Sequence, residues 1–288
     1  IIGDAWTLTL ICSQFNTILA DEQPPAFPYS DYVESENTYL QSSRCAKDRA
    51  FFMGQFETCD EVTYLADQNS SSYAARRVTF SIGPEQTAQI HSYAKQHNVS
   101  PFVLFLTAVA IYFSRVKMNT EGFFIGTPLL NRGTFKEKNT MGMFINTVPV
   151  LANIDYTHTF ADNLNVMQRE VFSVLRHQKF NYNDMLTAIR QEFGFIEQLY
   201  DVVLSYQNAV VRGASSKVET TWYHNGLQTE SLQIHIDDRD SENAFRIHLD
   251  YRTDKFTLAE IERMYTHILN LLQDAVSHDD KTPGKLAL

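Results

Sequence analysis

The 288-residue chain has little cysteine, no long apolar run and no surplus of positive charge, and each shortage closes a class of explanation. Cys12, Cys45 and Cys59 are odd in number and irregularly spaced, with no Cys-x-x-Cys pair. Reduced thiols in a cytoplasmic protein are therefore expected rather than a disulfide framework. No stretch of about 18 residues is apolar without charge, so no membrane span is expected, and no secretory leader is visible. Lys and Arg number 24 against 34 Asp and Glu, a net charge of -10 that argues against non-specific nucleic-acid binding. A local basic patch can still coexist with an acidic total. No Gly-x-Ser-x-Gly surrounds Ser43 or Ser205 and no Cys-His context surrounds Cys45, so nucleophilic catalysis is disfavoured. Gly126-Thr127-Pro128 is not followed by Gly-Lys-Ser/Thr, so it is not a phosphate-binding loop.

What is present is ordinary for one large folded domain or two modest ones: 44% apolar and 20% charged residues, with 20 Phe and 14 Tyr supplying bulk. Residues 7–20 are apolar at helical spacing, and Pro24-Pro25 ends that helix. A second helical stretch runs from residue 27 to about 56, and residues 60–72 read as a polar loop. Residues 78–82 alternate like a strand, and Pro84 opens a helix to about His97. Ser100-Pro101 starts another helix, and its run 102–116 is apolar nearly all round, so it should be buried. Residues 123–127 and 144–150 read as buried strands joined by a polar loop, 131–140. Thr159-Phe160-Ala161-Asp162 resembles a capping box for a helix to about Gln178. A shorter helix over 183–193 follows. Strands are expected at 201–205, 232–236 and 245–251. Thr257 and Glu260 cap a last amphipathic helix. Helices and strands do not alternate regularly, so the class is α+β, an α/β sandwich.

The first residues read Ile1-Ile2-Gly3-Asp4-Ala5-Trp6. They resemble the back half of the His-His-x-x-x-Asp-Gly signature of non-ribosomal peptide synthetase condensation domains. Five later segments resemble that family's motifs in order. They are Tyr29-Ser30-Asp31-Tyr32, Ile125 through Arg132 (IGTPLLNR), Gly142 through Pro149 (GMFINTVP), Arg176 through Tyr182 (RHQKFNY) and Leu199 through Asn208 (LYDVVLSYQN). Ala5 stands where the signature has Gly, and Asn181 where the fifth motif has Pro.

The resemblance implies a chloramphenicol-acetyltransferase-like fold of two lobes, with the active site in a tunnel between them. On that basis residues 1–60 are the remnant of the active-site loop with connecting helices, and 61–288 the C-terminal lobe. Both signature histidines would precede Ile1, and the N-terminal lobe would be missing. The implied reaction joins a donor acyl thioester to the amine of an acceptor aminoacyl thioester. Both arrive on peptidyl carrier proteins, upstream and downstream, through 4'-phosphopantetheine, with an adenylation domain adjacent and no cofactor bound directly. An epimerization domain of the same fold and a non-catalytic carrier-docking module are the alternatives. The intact Gly-Thr-Pro and Phe-x-Asn-Thr motifs favour condensation.

Asp4 and Asn146 are the candidate catalytic residues. Asp4 is weighted toward a structural role, because a buried carboxylate needs a partner. Arg132 is the candidate partner, through two hydrogen bonds. Asn146, in an otherwise apolar strand, either bonds a neighbouring segment or lines the tunnel near the reacting groups. Gly3 and Trp6 are motif residues, and Gly126, Thr127, Pro128 and Thr147 are candidates for the tunnel or the substrate arm. His91, His97, His158, His267 and His278 read as solvated, and His177 as a helix-end residue. The segment 235–240 reads as a solvated turn or ion-pair network rather than a metal site, and no metal is expected.

Overall fold

The computed structural model describes residues 3–59, 64–65, 72–116, 122–208, 223–239 and 243–288. Among them, six strands form one mixed sheet in the order β1-β6-β5-β4-β2-β3. In chain order these are β1 (Ala75–Ile82), β2 (Phe123–Leu129), β3 (Asn146–Ala152), β4 (Val202–Gln207), β5 (Leu232–Asp237) and β6 (Phe245–Arg252). The β1–β6, β5–β6 and β2–β3 pairs are antiparallel, whereas β4 runs parallel to both β2 and β5.

Side chains alternate across a strand, so register assigns every residue to a face. Val78, Phe80, Ile234, Ile236, Ile247 and Leu249 share one face. Helices α5 (Pro101–Val116) and α9 (Leu258–Ser277) cover it. Phe105 of α5 meets Phe245 edge-on at 5.2 Å, and Tyr265 of α9 stacks on Phe80 at 4.0 Å. Helix α5 is wrapped by core: α4 (Pro84–Gln96), α7 (Phe160–His177) and α9 pack around it, and Leu104, Leu106, Ala108, Ala110 and Ile111 have no exposure. From Val103 to Phe113 its apolar surface is continuous because no side of that stretch meets water. No single helix is long and apolar enough to cross a membrane.

Three segments differ from the sequence-based expectation. The stretch 27–56 is two helices, α2 (Tyr29–Leu40) and α3 (Ser43–Thr58), because Ser42 leaves the helical conformation and caps α3 by accepting from the Cys45 amide at 3.2 Å. The loop 131–140 contains a one-turn helix, α6 (Phe135–Lys138), held by a Thr134/Glu137 capping box. The expected strand at 144–150 begins only at Asn146, because the Phe144 amide is turned toward Asp4. The loop expected over 60–72 lies mostly outside the described residues.

The helix α8 (Tyr182–Phe193) joins this frame through Asn146. The Asn146 amide nitrogen donates to the carbonyls of Gln178 and Phe180, each at 2.8 Å, and its oxygen accepts from the Tyr182 amide at 3.2 Å. Asn146→Ala should cost about 2–3 kcal/mol, because three backbone groups lose a partner at a site 7% exposed. Urea unfolding checks this, with the midpoint falling and the slope unchanged.

Candidate functional site

The signature segment begins where α1 (Ala5–Leu19) begins. Asp4 is its N-cap, and its carboxylate accepts from the Thr7 amide at 2.9 Å and the Thr7 hydroxyl at 3.0 Å. The same carboxylate reaches across the fold. It accepts from the Phe144 amide at 3.1 Å, and Arg132 Nη2 lies 3.1 Å from each of its oxygens. Both side chains are 1% exposed.

Arg132 therefore grips Asp4 with one nitrogen rather than with a two-nitrogen fork. Its Nη1 donates to the carbonyls of Glu137 (2.5 Å) and Thr140 (2.6 Å), and Nη2 also donates to Gly142 O (3.0 Å). The guanidinium lies 3.8 Å above the Phe144 ring. One arginine thus ties the loop after β2 to the start of α1. Trp6 Nε1 adds a hydrogen bond to Lys138 O at 2.9 Å, and Thr7 Oγ1 one to Gly142 O at 2.8 Å. Gly3 sits so close that a Cβ there would lie 2.8 Å from Thr7 Cγ2.

Burial by itself would raise the Asp4 pKa. Hydrogen bonds from Thr7, Phe144 and Arg132 outweigh it and hold the carboxyl below the ordinary aspartate value. An ionised, fully bonded carboxylate sealed from solvent is not placed to exchange protons with a substrate. The geometry makes Asp4 the cap of α1 and the ion-pair partner of Arg132.

Other expected site residues divide by face. Gly126, Pro128 and Thr147 share the face opposite the helices α5 and α9. Thr127 does not: its hydroxyl donates to Leu204 O at 2.9 Å and it is buried on the side of Ile125 and Val148, so its tunnel assignment is corrected. Gly126 is required by a close approach, but of protein rather than a substrate arm, since a Cβ there would lie 2.6 Å from the Tyr200 ring. The Asn146 amide is fully used on backbone, which leaves no donor for a developing oxyanion.

The open face carries a polar network that composition did not reveal. Arg77 grips Asp250 through Nε (2.6 Å) and Nη2 (2.7 Å), and His235 Nε2 lies 3.1 Å from the same carboxylate. These charges line two cavities, of about 300 and 620 Å³, that share Arg77, Gln233 and His235 as a wall. The smaller one reaches from Ala5 at the start of α1, past Pro128 and Thr147, to His248. Sequence reasoning missed Arg77 and Asp250, which meet only through the pairing of β1 with β6. His158 and His278 are exposed, as expected, and His91 and His97 partly so; each of the four lies within ion-pair reach of an aspartate, and His267 packs on Tyr112. His177 stacks on Phe51 and bonds Asp48 at 2.7 Å, tying the end of α7 to α3. Among the described residues no group of three or more His, Cys, Asp or Glu could hold a metal ion.

Asp250 makes a testable statement about acid. Burial would raise its pKa, yet the hydrogen bonds from Arg77 and His235 hold it far below the usual carboxylate range. Its stabilising effect is therefore complete above the unfolded value near 4 and is lost as pH falls toward the folded one. Unfolding free energy should fall between about pH 5 and 3. Asp250→Asn should flatten that slope in denaturant titrations across the range. An unchanged slope would remove Asp250 as its source.

Comparison with known proteins agrees with this arrangement. The sequence model described as "Condensation domain" matches residues 1–288. A plipastatin synthase chain of Bacillus subtilis (strain 168) is 32% identical over 264 residues, covering 90% of this chain and 10% of that protein. Surfactin synthase subunit 1 of the same organism is 32% identical over 267 residues, covering 90% and 7%. The first condensation domain of the calcium-dependent antibiotic synthetase, in complex with substrate analogue 2a, superposes with a TM-score of 0.82 at 17% identity, over 100% of this chain and 67% of that one. A four-domain non-ribosomal peptide synthetase bound to AMP and glycine superposes with a TM-score of 0.77 at 16% identity, over 99% and 23%. The chain thus spans a tenth or less of these two curated relatives and about two thirds of that solved single domain. Its mixed sheet and helices have the chloramphenicol-acetyltransferase-like fold of those neighbours. With its signature aspartate, its Arg132 partner and its full-length match, the chain belongs to the condensation-domain family of non-ribosomal peptide synthetases.

Proposed function

We propose that the chain is the active-site helix and C-terminal lobe of a two-lobed condensation domain in a cytoplasmic synthetase. It acts in forming an amide bond between a donor acyl or peptidyl thioester and an acceptor aminoacyl amine. Upstream and downstream carrier proteins present both groups on 4'-phosphopantetheine arms, with an adenylation domain adjacent, and the chain itself binds no cofactor or metal. The observation that carries this reading is the docking of the signature segment: Asp4, held by Arg132, sets the first turn of α1 so that Ala5 borders the cavity on the open sheet face.

The chemistry such a site supplies is mainly positioning. Two tethered reactants held in attack geometry can gain about 7–11 kcal/mol of the barrier. Asp4, Trp6, Thr7 and Arg132 fix the backbone at which the reacting groups meet. Proton handling belongs to the signature histidines that the family resemblance puts ahead of Ile1. The 288 residues alone are therefore expected to form no peptide.

The test mixes carrier proteins loaded with donor and acceptor groups with the full synthetase, and in parallel with the 288-residue chain, and follows peptidyl product by mass spectrometry. Product from the full protein and none from the chain supports the reading. Product from the chain at the parent's rate would place the proton-handling group within these residues. Inversion at the α-carbon without peptide would assign an epimerization domain instead.

A further inference from the structure

The smaller open-face cavity has unequal ends. Val203 pairs with Gln233 and Gln207 with Asp237, so Gln233 and its neighbour Glu230 lie at one end beside Val203, and Ser205 and Gln207 lie toward the other; Ala5, Pro128 and Ile145 complete the lining. Its volume of about 300 Å³ is at the small end for ligand sites, suited to one side chain rather than a peptide.

The charged groups at its wall are not all bonded to an opposite charge. Arg77 is matched by Asp250, and Arg239 by Asp237 through Nε at 2.7 Å and Nη2 at 2.5 Å. Burial first, then Arg77, lowers the His248 pKa, which favours its neutral imidazole. Glu230 differs from the other carboxylates of the lining. Its Oε2 accepts from Gln233 Nε2 at 2.8 Å and from Thr229 Oγ1 at 3.0 Å, both neutral groups. It is half-buried, so its charge is only partly screened. Among the described residues, the side-chain oxygen of Gln233 accepts no hydrogen bond and no cationic side chain bonds Glu230, so this end of the cavity presents acceptors. A group rich in N–H donors and carrying positive charge complements this; a carboxylate is repelled.

We propose that the Glu230 end of this cavity selects a tethered aminoacyl group whose side chain ends in an amine. The apolar side chains of the lining take the methylene stem and Glu230 the ammonium. This rests on the reading that a thioester-bound aminoacyl group enters the cleft. It names the substrate class of that site.

Stable pantetheine amides of lysine and norleucine differ by a terminal ammonium on the same stem. Calorimetric titration of the 288-residue chain with each should show the lysyl compound binding about tenfold more tightly, the usual worth of a charge-assisted hydrogen bond. Glu230→Gln should bring the lysyl affinity down to the norleucyl value and leave the norleucyl value unchanged. Glu230→Asp, which keeps the charge, should retain a preference. Equal affinities in the unmodified chain, no measurable lysyl binding, or a preference that survives Glu230→Gln would each overturn the proposal. The two readings fail separately. Missing peptide product from the full synthetase sinks the condensation reading, while the titrations alone decide the amine preference.

Discussion

Replacing Arg132 with methionine is expected to destabilise the protein by about 3–5 kcal/mol, the cost of stripping one partner from a sealed ion pair. The substitution leaves the Asp4 carboxylate buried with only Thr7 and Phe144 to satisfy it. It also strands the carbonyls of Glu137 and Thr140. In thermal unfolding the loss corresponds to a fall in Tm of roughly 6–20 °C for a domain of this size. Asp4→Ala should cost a similar amount. Combined with Arg132→Met, the double variant should cost clearly less than the two single changes together, because each removes the same interaction. Strict additivity would mean that the two residues act independently.

Gly142→Ala is expected to cost about 3 kcal/mol or more, from two sources acting at one atom. Gly142 has φ +155°, a conformation side-chain-bearing residues rarely adopt, and a Cβ there would fall 2.2 Å from the Tyr29 ring. Moving Tyr29 aside would break the hydrogen bond from its hydroxyl to Met143 O and disturb its edge-on packing against Phe144. The same residue also exchanges hydrogen bonds with Thr7, so strain here reaches the signature segment. Gly54, inside α3, is the contrasting case. A Cβ there meets nothing within 4 Å, so Gly54→Ala should stabilise by about 0.5–1 kcal/mol through helix propensity. Denaturant midpoints for the two variants should therefore move in opposite directions.

What could be read in the sequence depended on how locally each feature was encoded. The burial of α5 was visible because its apolar residues cover every side of the helix. The alternation in β5 and β6 was visible because strand period is two. The break between α2 and α3 was not, since one Ser42 side chain decides it inside a stretch of otherwise uniform helical character. The turn α6 was signalled by Thr134 and Glu137, three apart, but a four-residue helix is too short for periodicity to mark. The Asp4–Arg132 partnership was legible only because the motif resemblance placed both residues among one family's motifs. The Arg77–Asp250–His235 network had no such help: sheet register, which no local pattern encodes, brings those three side chains onto one face. Thr127 was misjudged for the same reason, since its orientation follows from pairing with Val148.

The sheet order also sets a timetable. Among the strands described, β1 is made first and sits at one edge of the sheet, paired with β6, made last. Arg77 and Asp250 are 173 residues apart. At ordinary ribosomal speeds of about 5–20 residues per second, β1 emerges roughly 10–35 s before the strand that completes it exists. During that interval Val78, Phe80 and Ile82 have α4 and α5 to collapse upon, but their backbone has no ladder. The polar residues of the strand, among them Arg76, Thr79 and Ser81, then have a second use during synthesis: they keep the waiting edge soluble and discourage it from pairing with the nascent chain on the next ribosome.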